Sequence, residues 1–292
     1  MLKRIITGIV GIAAAAAIIT KGGLVFTAAV FLLSLIGWHE YYKMAAHKER
    51  HIYPLTSGLG SVLIVAMAGL GYYVEMEQVF TLAFMLMLAV IFFILSAIEG
   101  LWRHCHCEGE NWLLDTGLSA WAILYCGLLF AHVIVLRSFD GGPHIDLGFR
   151  VFEYGEICLW VVLLGTWASD TFAYFFGRAF GKTPFCRVSP KKSFEGAVCG
   201  FVGCFITVMF LSIFCLGVPL WQACLLGAAV AVFAPIGDLV ESIIKRSFDI
   251  KDSGNIFPGH GGVLDRFDSL LFTAPVVYYV LMFISIFSYL EF

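Results

Sequence analysis

Charge is scarce in this sequence: 13% of its 292 residues are Asp, Glu, Lys or Arg, against about 25% in ordinary soluble domains. With 60% hydrophobic residues and a mean hydropathy of +0.91, that scarcity excludes a water-soluble globule, which would need a polar skin. A net charge of −3 provides no basic field for nucleic acid. A disulfide framework is missing too. Of nine Cys, Cys126, Cys158, Cys199, Cys204, Cys215 and Cys224 lie in apolar runs and read as small hydrophobes. Lys3-Arg4 precedes the apolar run Ile5 to Ile19, but no small-x-small cleavage site follows, so the run reads as an uncleaved first span. No internal repeat and no Pro- or Ser-rich linker divides residues 1–292, which are expected to form a single membrane domain.

What is present is a series of apolar runs near the 20 or so residues that a spanning helix needs. They predict an all-α, polytopic protein with about nine transmembrane helices, at 5–20, 23–42, 55–74, 78–98, 116–136, 156–176, 195–216, 219–240 and 268–289. Fifteen of the 18 Lys and Arg then fall on one face, and only Lys21, Arg137 and Arg150 on the other. The positive-inside rule places the N-terminus and the basic loops 177–194 and 241–267 in the cytoplasm, and the C-terminus outside.

Two acids stand where lipid should be. Asp170 and Asp238 interrupt apolar spans, and an acid at a helix centre costs about 2.5–3.5 kcal/mol on insertion scales, so such residues usually face protein or water. Each precedes the first basic residue of its loop, Arg178 or Lys245, by about 10–12 Å of helix. The last span opens with Asp265-Arg266-Phe267-Asp268. Three helices are thus expected to bring carboxylates to a similar depth. Hard oxygen ligands without a Cys/His cage favour Mg²⁺, as one or two metal ions or with an added monovalent cation. His104-Cys105-His106-Cys107 is a poor rival, since consecutive residues do not wrap one tetrahedral ion.

The first basic loop contains Gly181-Lys182-Thr183, but Phe176 stands where a P-loop needs glycine, and Pro184 follows. It reads instead as a basic loop entering a helix capped by Ser193 with Glu195 in its first turn. Such an entrance suits a polyphosphate. The second loop packs Gly259-His260-Gly261-Gly262 against Asp265-Arg266-Phe267-Asp268. Glycines permit close backbone approach to a ligand, and alternating cations and acids suit a metal–phosphate site.

Residues 242–268 resemble the signature of the phosphatidate cytidylyltransferases, or CDP-diacylglycerol synthases. The matching positions are Ser242, Lys245-Arg246, Lys251-Asp252, Pro258, His260-Gly261-Gly262, Asp265-Arg266 and Asp268. Ser169-Asp170, Gly181-Lys182, Ser189-Pro190-Lys191-Lys192-Ser193 and Glu195-Gly196 are also similar to the family, with Ser193 where Thr is frequent. Residues 1–150 match only as a string of spans, so 156–292 are expected to carry the catalysis.

The resemblance implies that CTP and phosphatidate yield CDP-diacylglycerol and pyrophosphate with Mg²⁺. It assigns metal to Asp238 and Asp265, with Asp268, Asp252 and Asp170 as second choices that hold metal-bound water or orient lysines. Lys182, Lys191, Lys192, Lys245, Arg246, Lys251 and Arg266 are expected on triphosphate or lipid phosphate, unpartitioned, and Ser189, Ser193, Glu195 and Asp170 are expected with Lys182, Lys191 and Lys192 as the cofactor-binding group. His260 is expected to contact phosphate or close over the site. Expected partners are CTP, phosphatidate and the lipid bilayer, with a homodimer as an option and no nucleic acid. The expected location is the cytoplasmic membrane, with the site facing the cytoplasm. The rival readings are a CTP-dependent polyprenol or phytol kinase and, more remotely, a secondary transporter.

Overall fold

The computed structural model describes residues 2–106, 111–146, 148, 150–186, 188–257 and 261–290. Helix occupies all nine predicted segments: α1 (Leu2–Lys21), α2 (Gly23–His47), α3 (Pro54–Tyr73), α4 (Gln78–His106), α5 and α6 (Trp112–Ala122 and Leu129–Arg137), α7 (Tyr154–Phe180), α8 (Phe194–Leu216), α9 (Leu220–Ser247) and α10 (Leu264–Leu290). Eight of these segments are long and apolar enough to cross a membrane, while the apolar stretch of α1, Gly8–Lys21, is shorter. The protein is an all-α polytopic membrane protein. A two-residue hairpin, β1 (Ile145–Asp146) with β2 (Val151–Phe152), is its only named sheet among the described residues.

The chain divides into two compact units: Met1–Val135 with Lys245–Arg266, and Leu136–Ile244 with Phe267–Phe292. The second signature loop therefore groups with the N-terminal helices.

In the first of these units, α5 passes into α6 through a π-helical segment, Ile123–Leu128. A π segment disturbs the regular backbone ladder, and inside a membrane the affected carbonyls need other donors. Serines supply them. Ser34 Oγ on α2 donates to the Cys126 carbonyl at 2.5 Å, and Ser61 Oγ on α3 shares its one proton between the Ser57 carbonyl of its own helix at 2.9 Å and the Ala122 carbonyl at 3.2 Å. Gly127 makes the approach possible, since a Cβ there would lie 2.7 Å from Ser61 Cα.

In the other unit, α7 and α8 form an antiparallel pair seated on small residues. Cβ atoms at Gly196 and Gly200 would come within 2.9 Å of Gly177 Cα and of the Ser169 carbonyl oxygen, and one at Gly203 would strike the Phe172 ring. Close backbone approach of this kind is how membrane helices gain packing without a hydrophobic driving force. It fixes the two ends of the 181–193 loop.

Candidate active site

The first loop is tied down by its own residues. Ser193 caps α8 as expected, its Oγ accepting from Gly196 N–H at 3.2 Å. Glu195 Oε2 accepts from the Lys182 N–H at 3.1 Å, and its Oε1 accepts from the Thr183 hydroxyl at 2.9 Å. Phe185 N–H donates to the Lys192 carbonyl at 2.8 Å, and Phe194 N–H donates to that of Thr183 at 2.9 Å. Glu195 thus holds the loop's backbone, and the loop presents Lys192. The Lys192 ammonium forms an ion pair with the Asp238 carboxylate of α9; both side chains remain partly accessible, at 39% and 28%. Lys182 and Lys191 are exposed, Ser189 is half-buried, and Asp170 lies exposed on α7.

The second loop closes around Asp265. Its Oδ1 accepts from the Lys245 ammonium at 2.6 Å. Its Oδ2 accepts from Ser253 N–H at 2.8 Å, Ser253 Oγ at 2.9 Å and Gly262 N–H at 2.8 Å. Side-chain exposure is 6% for Asp265 and 13% for Lys245. Water does little to screen such a pair, so its geometry is firmly set. Gly261, at φ 89°, adopts a left-handed conformation that side-chain-bearing residues avoid. Arg246 donates to the Ile250 carbonyl at 2.9 Å, closing the end of α9. Lys251, Asp252 and Arg266 are exposed. Asp268 is half-buried and accepts from Ser269 N–H at 2.6 Å. His260, with Pro258 and Gly259, lies outside the described residues.

Sequence reasoning missed the side of this site that α2 supplies. Gly37, Glu40, Tyr41, Met44 and Lys48 form one stripe at helical spacing. The Glu40 carboxylate accepts from the N–H groups of Val263 and Leu264 at 2.9 and 3.0 Å, and from Ser253 Oγ at 3.1 Å. Tyr41 meets Phe248 edge-on, with centroids 5.8 Å apart. Lys48 donates to the Ser247 carbonyl at 3.0 Å and pairs with Asp249 at 2.8 Å. The hydrogen bond from the Lys48 ammonium to the Asp249 carboxylate holds that carboxyl below the usual carboxylate range. Beside this stripe lies a cavity of about 460 Å³, bounded by Lys43, Met44, His47, Asp252, Ser253 and Asn255 among others.

Among the described residues, no group of three or more His, Cys, Asp or Glu side chains is close enough to hold a metal ion. The arrangement instead offers two carboxylate–ammonium pairs, one on each basic loop.

The sequence model of the cytidylyltransferase family matches residues 2–284. The chain is 32% identical over 293 residues to the phosphatidate cytidylyltransferase of Synechocystis, covering 95% of each chain. It is 32% identical over 279 residues to that of Staphylococcus saprophyticus, covering 95% of this chain and 97% of the relative. Likeness to the Bacillus subtilis protein of the same name is 36% over 173 residues, 59% of this chain and 60% of that one.

Proposed function

This chain belongs to the cytidylyltransferase family, and from that premise we propose that it transfers CMP from CTP to phosphatidate, giving CDP-diacylglycerol and pyrophosphate. The observation that carries the proposal is likeness to enzymes of that name over nearly the whole chain. The two carboxylate–ammonium pairs supply chemistry that suits it. A phosphate oxygen of the lipid attacks the α-phosphorus of CTP while the bond to the β-phosphate oxygen breaks. The nucleophile is already anionic, so the protein needs neither a covalent intermediate nor a strong base. Its task is to position two polyanions and offset their charge.

Lys192 and Lys245 are proposed for that task, and what supports the choice is that each ammonium sits on a carboxylate. An arriving phosphate would draw the lysine, and the acid oxygen would then be available to hold a cation. Asp238 and Asp265 are each proposed as a metal ligand in this sense, with Asp268, Asp252 and Asp170 as second choices. The donor set fits Mg²⁺, which is usually held by one or two carboxylates plus substrate phosphates and water rather than by a dedicated cage. When bound, the ion would neutralise phosphate oxygens that crowd together during the transfer. Lys182, Lys191, Arg246, Lys251 and Arg266 remain proposed phosphate contacts.

For the nucleotide, the 460 Å³ cavity beside Ser253 falls within the usual size range of small-molecule sites. Asp252 on its wall is the type of group that accepts from a cytosine amino group. Asn255 offers both a donor and an acceptor. With purified protein and phosphatidate, pyrophosphate release is expected with CTP and not with ATP, GTP or UTP. Release of CDP in its place would establish a kinase and overturn the proposal.

The setting proposed for this chemistry is the cytoplasmic membrane, with both basic loops inside. Ser189→Cys and Asn255→Cys, in a background without exposed thiols, are expected to react with impermeant maleimide only from the cytoplasmic face. Labelling from outside intact cells would reverse that orientation.

A further inference from the structure

α10 opens at Leu264, and the N–H groups of Val263 and Leu264 at its start donate to a side chain of α2. The first N–H groups of any helix lack intrahelical partners, and leaving them unsatisfied inside a protein is costly. Here their acceptor comes from more than 200 residues away. Glu40 is 4% exposed, and its two oxygens take the N–H groups of Val263 and Leu264, one each. A negative group at a helix N-terminus also complements the helix dipole.

Ser253 Oγ completes the connection, its one proton shared between Glu40 Oε2 at 3.1 Å and Asp265 Oδ2 at 2.9 Å. Its backbone N–H also donates to Asp265 Oδ2. Ser253 therefore sits between two acids, one on α2 and one in the signature. Two glycines leave room for this. A Cβ on Gly254 or Gly262 would collide with the Glu40 carboxylate.

We infer that Glu40 is a positioning residue for CMP transfer: through Ser253 and the start of α10 it fixes the Asp265 carboxylate where that group engages Lys245. The inference rests on the proposed role of Asp265. It also makes α2, outside both signature loops, part of the catalytic apparatus. Glu40 itself touches no substrate in this account. Groups that orient a reacting residue without touching substrate typically cost 10–100-fold in activity when changed.

The test compares Glu40→Gln, Glu40→Asp and Gly254→Ala as full-length protein in mixed lipid–detergent micelles. Turnover, both KM values and the thermal midpoint are measured. Gln keeps the volume of Glu but puts an NH₂ donor against one of the two N–H groups, whereas Asp keeps both acceptors on a shorter arm. Glu40→Gln is expected to lower kcat about 10–100-fold, with the KM for CTP and for phosphatidate within about threefold of wild type. Glu40→Asp is expected to recover part of that loss. A residue that merely fills space would give the opposite order, because Gln conserves volume and Asp does not.

Gly254→Ala puts a Cβ 2.4 Å from Glu40 Oε1 and displaces the carboxylate from the loop side while leaving α2 and the Asp265 donors in place, so it decides the matter if neither Glu40 variant folds. It is expected to show the same fall in kcat. Wild-type kcat in Glu40→Gln, greater activity in Gln than in Asp, or losses that only follow the folded fraction in every variant would each overturn the inference. Asp265→Asn, assayed alongside, separates the two claims. If it is inactive while Glu40→Gln is fully active, only the role of Glu40 falls. If it is itself fully active, the role of Asp265 falls.

Discussion

Asp265→Asn is expected to lower the transfer of label from CTP into organic-soluble lipid by roughly 10²- to 10³-fold, the range seen when one preorganised electrostatic group is removed from an active site. The reason lies in what surrounds the carboxylate. One oxygen faces the Lys245 ammonium, and the other accepts from Ser253 N–H, Ser253 Oγ and Gly262 N–H. An asparagine keeps only one acceptor. If that acceptor takes the three loop donors, the amide NH₂ faces the ammonium. If it faces Lys245, the NH₂ opposes the loop. In both rotamers donor meets donor, and a half-exposed solvent shell is not available to absorb the conflict. Lys245 loses its anchor, and the proposed metal ligand is gone. The assay is made in membranes with equal amounts of protein by immunoblot, and the thermal midpoint in micelles is compared. Near-normal turnover would remove Asp265 from the reacting phosphates.

The sequence revealed helices better than it revealed partners. Apolar runs located every spanning segment, yet α4, α7 and α9 continue well past their runs, to His106, Phe180 and Ser247. Backbone hydrogen bonding does not stop where lipid-compatible side chains do, so hydropathy marks the membrane-compatible part and not the helix. At the other end, α10 starts at Leu264 rather than near 268, because Glu40 supplies acceptors for its first N–H groups. The Ser193 cap was readable because a cap is local, three residues from its donor. The π segment at Ile123–Leu128 was not, since nothing in its apolar composition distinguishes it from α-helix.

The acids were legible as anomalies but not as pairs. Asp238 stood out as a charge in an apolar span, while which of the first loop's five basic residues met it depended on how that loop folds back. Glu40 carried the same signal, a carboxylate inside the predicted span 23–42, and was passed over because its partners lie at 253 and 263–264. Arg137 counts in the sequence only as a charge flanking a span, and Glu156, the first residue of the predicted span 156–176, carries no separate signal.

Those last two residues carry the second large effect. Arg137, at the end of α6, is 1% exposed, and Glu156, in the first turn of α7, is fully buried. Arg137 pairs with Glu153 and, at 3.6 Å, with Glu156. Arg150 donates from both terminal nitrogens to Glu156, at 3.2 Å each. Gly155 is what lets α7 begin so close to the end of α6, since a Cβ there would strike the Arg137 carbonyl. Arg137→Met is expected to destabilise the protein by about 3–5 kcal/mol, because a buried carboxylate loses one of its two cations and water does not replace it. Adding Glu156→Leu is expected to restore most of that loss. The pair's attraction must repay the desolvation of both charges, and apolar groups of similar volume carry no such penalty. The double variant should therefore be more stable than the single one. Denaturant titration of wild type, Arg137→Met, Glu156→Leu and the double variant in micelles provides the cycle. A single variant as stable as wild type would show that Arg150 alone satisfies Glu156. A double variant less stable than the single one would show that the cluster holds the start of α7 by its hydrogen bonds rather than by its charges.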